Sequence, residues 1–315
     1  MKVVEHLAAA ARPLISFEII PPKRGGRLKD LLTIIDDIAR YDPKFIDVTS
    51  HGAEIMYEET PDGIKKKVKR KRPGTLGICA LIQKKYGIDA VPHVLCEGFT
   101  REETEDFLID LQYLGIENVM ALRGDAPVRE KGRHSGKTFN QDARDLVEQI
   151  ARMNRGVYLE DLLDAEPSSF CVGVAGYPEK HFASPNITTD IRNLKEKVDA
   201  GADYIVTQMF FDNTAYFQFV ELCRAEGIAV PIIPGLKIIC SRHQLTSIPL
   251  NFHVDIPFTL SEEILRSDER GAEEAGVAWA ARQAEELLAR NVPAIHFYVT
   301  GQSDPINKVR DILGL

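Results

Sequence analysis

The sequence is short of several things, and each shortage closes off a class of function. No two of its cysteines, Cys79, Cys96, Cys171, Cys223 and Cys240, have CxxC spacing, and each lies among apolar neighbours. That pattern disfavours a disulfide-stapled or zinc-binding scaffold. It reads as reduced, mostly buried thiols in a cytoplasmic protein with no metal site. No apolar run approaches membrane-spanning length and nothing near the N-terminus has the core of a signal peptide, so no membrane association is expected. Net basic charge is missing too: the formal charge is −8, which argues against a general nucleic-acid surface. The one basic run, Lys65 to Arg72, alternates with Ile64 and Val68 and reads as the solvated face of a helix. No GxGxxG turn follows the first strand-like run, which disfavours a doubly wound dinucleotide fold.

What is present is an alternation. Apolar runs bounded by turn signals fall at Ile15–Ile20, Phe45–Thr49, Ala90–Cys96, 117–122, Phe170–Gly176, Tyr204–Gln208, Val230–Pro234 and Ala294–Tyr298. Helical patterns follow at Leu28–Ala39, about Gly63–Tyr86, Arg101–Leu114, 141–153, Ile187–Ala200, Ala215–Ala225, a region over 240–289 broken around Pro249 and Pro257, and Ile306–Leu313. Gly52–Pro61 and Pro127–Thr138 read as loops, and Pro92 as an interruption of the third strand. Val157–Ser169, with its core near 157–166, reads as an inserted helical excursion. Eight strand–helix units with right-handed crossovers predict an α/β fold, a (β/α)8 TIM barrel, with residues 1–315 as a single domain.

A barrel places its chemistry at the C-terminal ends of its strands. Glu18, Thr49, His93, Arg123, Asp125, Tyr177, His181 and Gln208 all fall at or near those ends and would face one mouth. Singly, each has a plainer reading: Glu18 could cap a helix, His93 could be a satisfied core histidine, and Arg123 with Asp125 could form a capping pair. Their joint placement favours a site.

Six motifs occur in the order found in methylenetetrahydrofolate reductases. They are Ser16-Phe17-Glu18-Ile19-Ile20-Pro21-Pro22, Pro92-His93, Ala121-Leu122-Arg123-Gly124-Asp125, Tyr177-Pro178-Glu179 with His181, Asn193-Leu194-Lys195 with Lys197-Val198-Asp199-Ala200-Gly201-Ala202, and Thr207-Gln208 with Phe210-Phe211-Asp212. The chain resembles that family from about Ile15 to Tyr298, and in length it resembles the short bacterial form that has no regulatory domain. The resemblance implies an FAD-bearing barrel that reduces 5,10-methylenetetrahydrofolate to 5-methyltetrahydrofolate with NADH or NADPH, supplying methyl groups for methionine synthesis. It also implies a homo-oligomer.

Position by position, it implies that Glu18 is the catalytic acid opening the folate's five-membered ring to an iminium cation. Asp125 would be a second acid beside flavin and pterin, contributing to catalysis and to binding of both. Gln208 and Phe210 would contact the folate. Thr49, His93, Leu122, Arg123, Gly124, Ala175, Tyr177, His181, Asp190 and Lys197 would hold FAD. The residue types suit the chemistry. A buried carboxyl can stay protonated near neutral pH. A carboxylate within a few ångströms of an iminium is worth about 4 kcal/mol at an effective dielectric near 20. Both substrates would use one flavin face in turn, a ping-pong scheme.

Three departures stand out. Ser50-His51-Gly52-Ala53-Glu54 replaces a family Tyr-Gly-Ala, a tyrosine near Asp142-Ala143 is missing, and Thr300-Gly301-Gln302 stands where the family often has Leu-Asn-Arg. Two other readings remain: a different barrel flavoenzyme acting on a proline-like amine, and a flavin-free barrel that binds folate or a partner protein.

Overall fold

Strand β1 (Leu14–Ile19) shows how the sequence makes the sheet. Ile15, Phe17 and Ile19 join the outer apolar core, while Ser16 and Glu18, the alternate residues, take the other face. The computed structural model describes residues 1–52, 54–61, 63–69, 72, 74–124, 138–299, 301 and 303–314, excluding the side chains of 54–56, 68 and 69. Within them the strands are β1, β2 (Phe45–Val48), β3 (Glu54–Thr60), β4 (Gly63–Lys69), β5 (Asp89–Leu95), β6 (Asn118–Leu122), β7 (Cys171–Gly176), β8 (Tyr204–Thr207), β9 (Ile232–Ile233), β10 (Gly235–Leu236) and β11 (Ala294–Val299). The helices are α1 (Val3–Ala9), α2 (Leu28–Ala39), α3 (Thr75–Leu81, continued by a π-turn at Ile82–Tyr86), α4 (Arg101–Tyr113), α5 (Ala143–Met153), α6 (Ile187–Asp199), α7 (Asn213–Ala225), α8 (Gln244–Phe252), α9 (Phe258–Arg266), α10 (Glu269–Ala289) and α11 (Asp304–Leu313).

Nine strands form one parallel sheet in the order β10-β11-β1-β2-β5-β6-β7-β8-β9. The two ends of that order are consecutive in sequence, with Pro234 between them. β9 pairs with β8, β10 pairs with β11, and the ring is a (β/α)8 barrel whose seventh strand is split. Proline has no N–H to donate and interrupts the ladder there. Gly235 N–H donates instead to Thr207 Oγ1 at 2.9 Å. A Cβ on Gly235 would lie 2.3 Å from Thr207 O, so the crossing admits only glycine.

Two cores follow from the alternation. Outward residues pack on the helices in one large cluster. Inward residues Phe45, Val91, Met120, Cys171, Tyr204, Ile233 and Ala294, drawn from successive strands, fill the floor of the barrel. α1 closes that floor from outside: Val3 joins the layer and its N–H donates to Asn118 Oδ1 at 2.8 Å.

Most elements lie where the sequence places them, and α2 matches its expected range. Three readings are corrected. Residues 54–60 and 63–69 form an antiparallel hairpin, where a loop and the start of a helix were expected. Glu58 faces Lys65, and Lys67 ion-pairs with Glu58. Opposite charges across two strands explain the basic run better than a helix face does. Pro61-Asp62-Gly63 is the hairpin signal in the sequence. The expected helix over 157–166 is also absent. The segment is irregular, tied by Tyr158 OH to Glu166 O and by Leu159 N–H to Glu105, and Leu163 is fully exposed. A helical apolar spacing with nothing to pack against does not form a helix. Finally, neither internal proline breaks its element. α8 runs through Pro249, and Pro92 pairs in register with Val48 inside β5. Pro257 does mark a boundary, as the residue before α9. The cysteines are free, and all but Cys240 are buried.

Candidate active site

Glu18 stands on the inner face of β1, in register with Asp47 on β2 and with Tyr298 on β11. His93 on β5 reaches the same point: its Nε2 is 3.4 Å from Glu18 Oε2 and 3.8 Å from Asp47 Oδ2. The Glu18 side chain keeps 17% of its exposure, whereas Asp47 has none. Burial pushes the Glu18 carboxyl up to about 7; the Asp47 charge adds to that rise, while His93 and Lys237 oppose it. Burial likewise pushes Asp47 well above the carboxylate range and His93 below the usual histidine value. The mouth therefore offers an acid, Glu18, that is half protonated near neutral pH, beside a neutral imidazole. Lys237, just beyond β10, donates to Tyr298 O at 3.2 Å. Tyr298 OH donates to Thr207 O at 2.6 Å.

A second group gathers around the ends of β6 and β7. Arg123 and Gly124 end β6, where Gly124 has φ +91° and a Cβ on it would meet the Glu97 side chain at 3.2 Å. Leu122 packs beside the inner layer. Lys197 on α6 is half-buried, and its Nζ donates to Ala175 O at 2.7 Å. Burial lowers its ammonium to about 8, with Asp190 opposing, so it remains mostly a cation at neutral pH. Asp190 accepts from His181 N–H at 3.0 Å and from Ser184 Oγ at 2.8 Å, which fixes the loop after β7. Tyr177 and His181 meet edge to face at 4.6 Å. Burial, Lys197, Arg123 and Lys180 together hold His181 below its usual value. Arg123, His181 and Lys197 thus form one basic arc.

Gln208 follows β8; its N–H donates to Gly176 O at 2.8 Å, and its Oε1 accepts from Met209 N–H. Phe210 does not join it at the mouth. Its ring is fully buried in the outer core, stacked on Tyr216 at 5.4 Å, which corrects the expectation that it shapes the substrate pocket. Asp125 lies outside the described residues, as does Gln302. Asp47 was missed in the sequence, although the signal that marks Glu18 also marks it: an acid inside a short, wholly buried strand.

The loop after β7 carries a pH-sensitive tie. Glu179 Oε2 accepts the Asp255 N–H at 2.6 Å, and burial pushes the Glu179 carboxyl up from 4.5 to about 7. The folded protein keeps a proton that the unfolded chain has released, so this contribution is full below about 4.5 and is lost as pH rises to about 7. Glu179→Gln keeps an acceptor oxygen and removes the ionisation. It is expected to exceed wild type by about 1–2 kcal/mol near pH 8 and to match it near pH 5 in urea unfolding.

The family model for methylenetetrahydrofolate reductase matches residues 2–314. The chain belongs to that family. Among relatives, methylenetetrahydrofolate reductase 1 of Schizosaccharomyces pombe is 31% identical over 303 residues, which cover 95% of this chain and 46% of the yeast protein. The 5,10-methylenetetrahydrofolate reductase of Pectobacterium carotovorum is 29% identical, covering 96% of this chain and 90% of its own length. The chain therefore spans about half of the yeast reductase and nearly all of the bacterial one. In fold it is similar to a Clostridium thermocellum protein described as binding two copies of 5-methyl-5,6,7,8-tetrahydrofolic acid. That structure has a TM-score of 0.60 at 14% identity, covering 98% of this chain and 97% of its own. Within the methylenetetrahydrofolate reductase family, Glu18 and the basic arc are this member's candidate acid and cofactor cradle.

Proposed function

We propose that this member of the family converts 5,10-methylenetetrahydrofolate to 5-methyltetrahydrofolate, using NADH or NADPH and bound FAD. The observation that carries the reading is Glu18, an acid held half protonated near neutral pH at the barrel mouth. Ring opening needs such a donor, because N10 must be protonated as its bond to the methylene carbon breaks.

The residues present suit FAD. Arg123 Nε and Thr49 Oγ1 are buried without a hydrogen-bond partner among the described residues, and Lys197 brings a half-buried cation next to Ala175. Arg123 and Lys197 would hold the diphosphate, Thr49 and His93 the flavin side, and Tyr177 and His181 would offer ring faces to the cofactor. When bound, FAD supplies a carrier that takes a hydride from the nicotinamide and passes it to the folate. Glu18 donates a proton to N10, Gln208 orients the folate, and Asp125 is the proposed counter-charge for the iminium. The barrel with α1 and α11 acts as one catalytic unit. A cytoplasmic homo-oligomer completes the reading. Among the described residues no helix is long and apolar enough to cross a membrane.

Lys197→Met is expected to weaken FAD binding about 10- to 100-fold while leaving the fold intact, read by flavin fluorescence during titration. The reading as a whole is tested anaerobically by spectrum. Flavin bands should bleach with NADH or NADPH and return with methylenetetrahydrofolate. Bands that bleach and do not return remove the folate assignment. A protein that takes up no FAD removes the cofactor as well.

A further inference from the structure

Asp47 has no role in the reading so far, yet it is the most deeply placed acid of the site. It lies opposite Glu18 in the β1–β2 register, it is wholly buried, and neither of its oxygens finds a hydrogen-bond partner among the described residues. A buried carboxylate without a cation costs several kcal/mol, so a group in this position is held by a proton or by a charged neighbour. The groups facing it are Glu18 on β1, Cys79 on α3, His93 on β5, Tyr204 on β8 and Tyr298 on β11. None of these is a permanent cation. Lys237 acts on Glu18, and His296, which faces His93, is pushed down to about 3 by burial and is neutral. His93 is the one basic group within 4 Å of Asp47 among the described residues, and the same Nε2 faces Glu18. Two carboxyl groups that share one imidazole nitrogen do not titrate independently.

We propose that Asp47 is a positioning residue for the proton of Glu18: through the shared His93 Nε2 the two carboxyl groups work as one coupled acid, which keeps a proton at Glu18 whenever the folate arrives. The inference rests on the folate-reductase reading above. The proton balance closes. The Glu18 O–H bond breaks as the N10–H bond forms, and the methylene–N10 bond breaks with its electron pair passing to N10. His93 Nε2 then takes the proton of the Asp47 O–H, whose bond breaks, and passes it to the Glu18 carboxylate. Asp47 regains its proton from water along the same path after product leaves, matching the one proton consumed per reduction. His93 starts and ends neutral.

The test follows the two half-reactions of the holoenzyme separately against pH. In Asp47→Asn, which keeps shape and burial, the alkaline limb of folate reduction should move acidward by about one pH unit, because the reserve proton that the pair still holds after its first titration step is gone. Its rate should fall about tenfold near pH 8 and stay close to wild type near pH 6, with flavin reduction by NADH unaltered. A limb that does not move overturns the inference, and so does an equal loss in both half-reactions at every pH. If wild type itself fails to return flavin colour with methylenetetrahydrofolate, it is the folate reading that falls. Should the variant not fold, infrared titration of wild type decides. A loss of protonated-carboxyl absorption from Asp47 that shifts along the pH axis in Glu18→Gln supports the coupled pair; a loss that stays at the same pH overturns it.

Discussion

Glu18→Gln should lower folate reduction by about a thousandfold or more while flavin reduction by NADH stays within a few-fold of wild type. Glutamine is close to isosteric and keeps the polar contact with His93 Nε2, which lies 3.4 Å from Glu18 Oε2, so the mouth keeps its shape. What it lacks is a transferable proton, and a positioned general acid contributes about 10²–10⁴ to a rate. The nicotinamide half-reaction protonates no leaving nitrogen and does not need this group. Stopped-flow traces of each half-reaction separate the two. Equal losses in both would mean that Glu18 supports the cofactor pocket instead of the ring opening. The wild-type folate half-reaction should itself weaken on the alkaline side of about pH 7, where the Glu18 proton is lost. A Glu18→Gln variant has no such limb.

Gly276→Ala should cost the protein more than about 3 kcal/mol and lower its midpoint by roughly 5–10 °C in a thermal melt. Gly276 lies inside α10, where helix propensity alone favours alanine by about 1 kcal/mol. Packing decides the other way. A Cβ there would lie 1.7 Å from Ile239 O and 2.8 Å from the Ile239 carbonyl carbon, and a backbone atom of a buried segment cannot step aside as a side-chain tip can. The contact binds α10 to the stretch just after the split strand, two residues from Lys237. Loosening it should also disturb the electrostatics around Glu18. An alanine variant as stable as wild type would show that the segment at Ile239 shifts at little cost.

The barrel was legible because its strands are short apolar runs, closed by turn residues and followed by amphipathic stripes. The inner and outer faces of β1 can be read from Ser16 and Glu18 set against Phe17 and Ile19. The mouth was legible where polar residues end such runs: Glu18 and His93 meet, and Arg123, His181 and Lys197 gather into one arc. The failures have physical causes. The hairpin over 54–69 is held by charges paired across strands, which a search for an apolar stripe does not register. Phe210 lies two residues after the polar Gln208 and beyond the end of β8 at Thr207, where strand alternation no longer sets the face of a side chain, and it enters the outer core. Asp47 carries the same sign as Glu18, an acid inside a short buried strand, but the polar residues just beyond that strand, Thr49 to His51, mask it in the sequence. The splitting of the seventh strand depends on which neighbours Pro234 lies between, and no local pattern carries that.

Closure of the ring has a consequence for how the chain reaches this state. β1 completes its pairing only with β11, and the hydrogen bond from Ser16 to His296 joins residues 280 positions apart. At synthesis rates of about 5–20 residues per second, the first strand waits roughly 15–55 s for its last neighbour. Until then its ladder edge and the floor layer lie open, and every intermediate on the ribosome is an unclosed sheet. Parallel pairing at such sequence distance is slow, and exposed edges of this kind associate. Refolding yield is therefore expected to fall as protein concentration rises, read as recovered native protein across a dilution series.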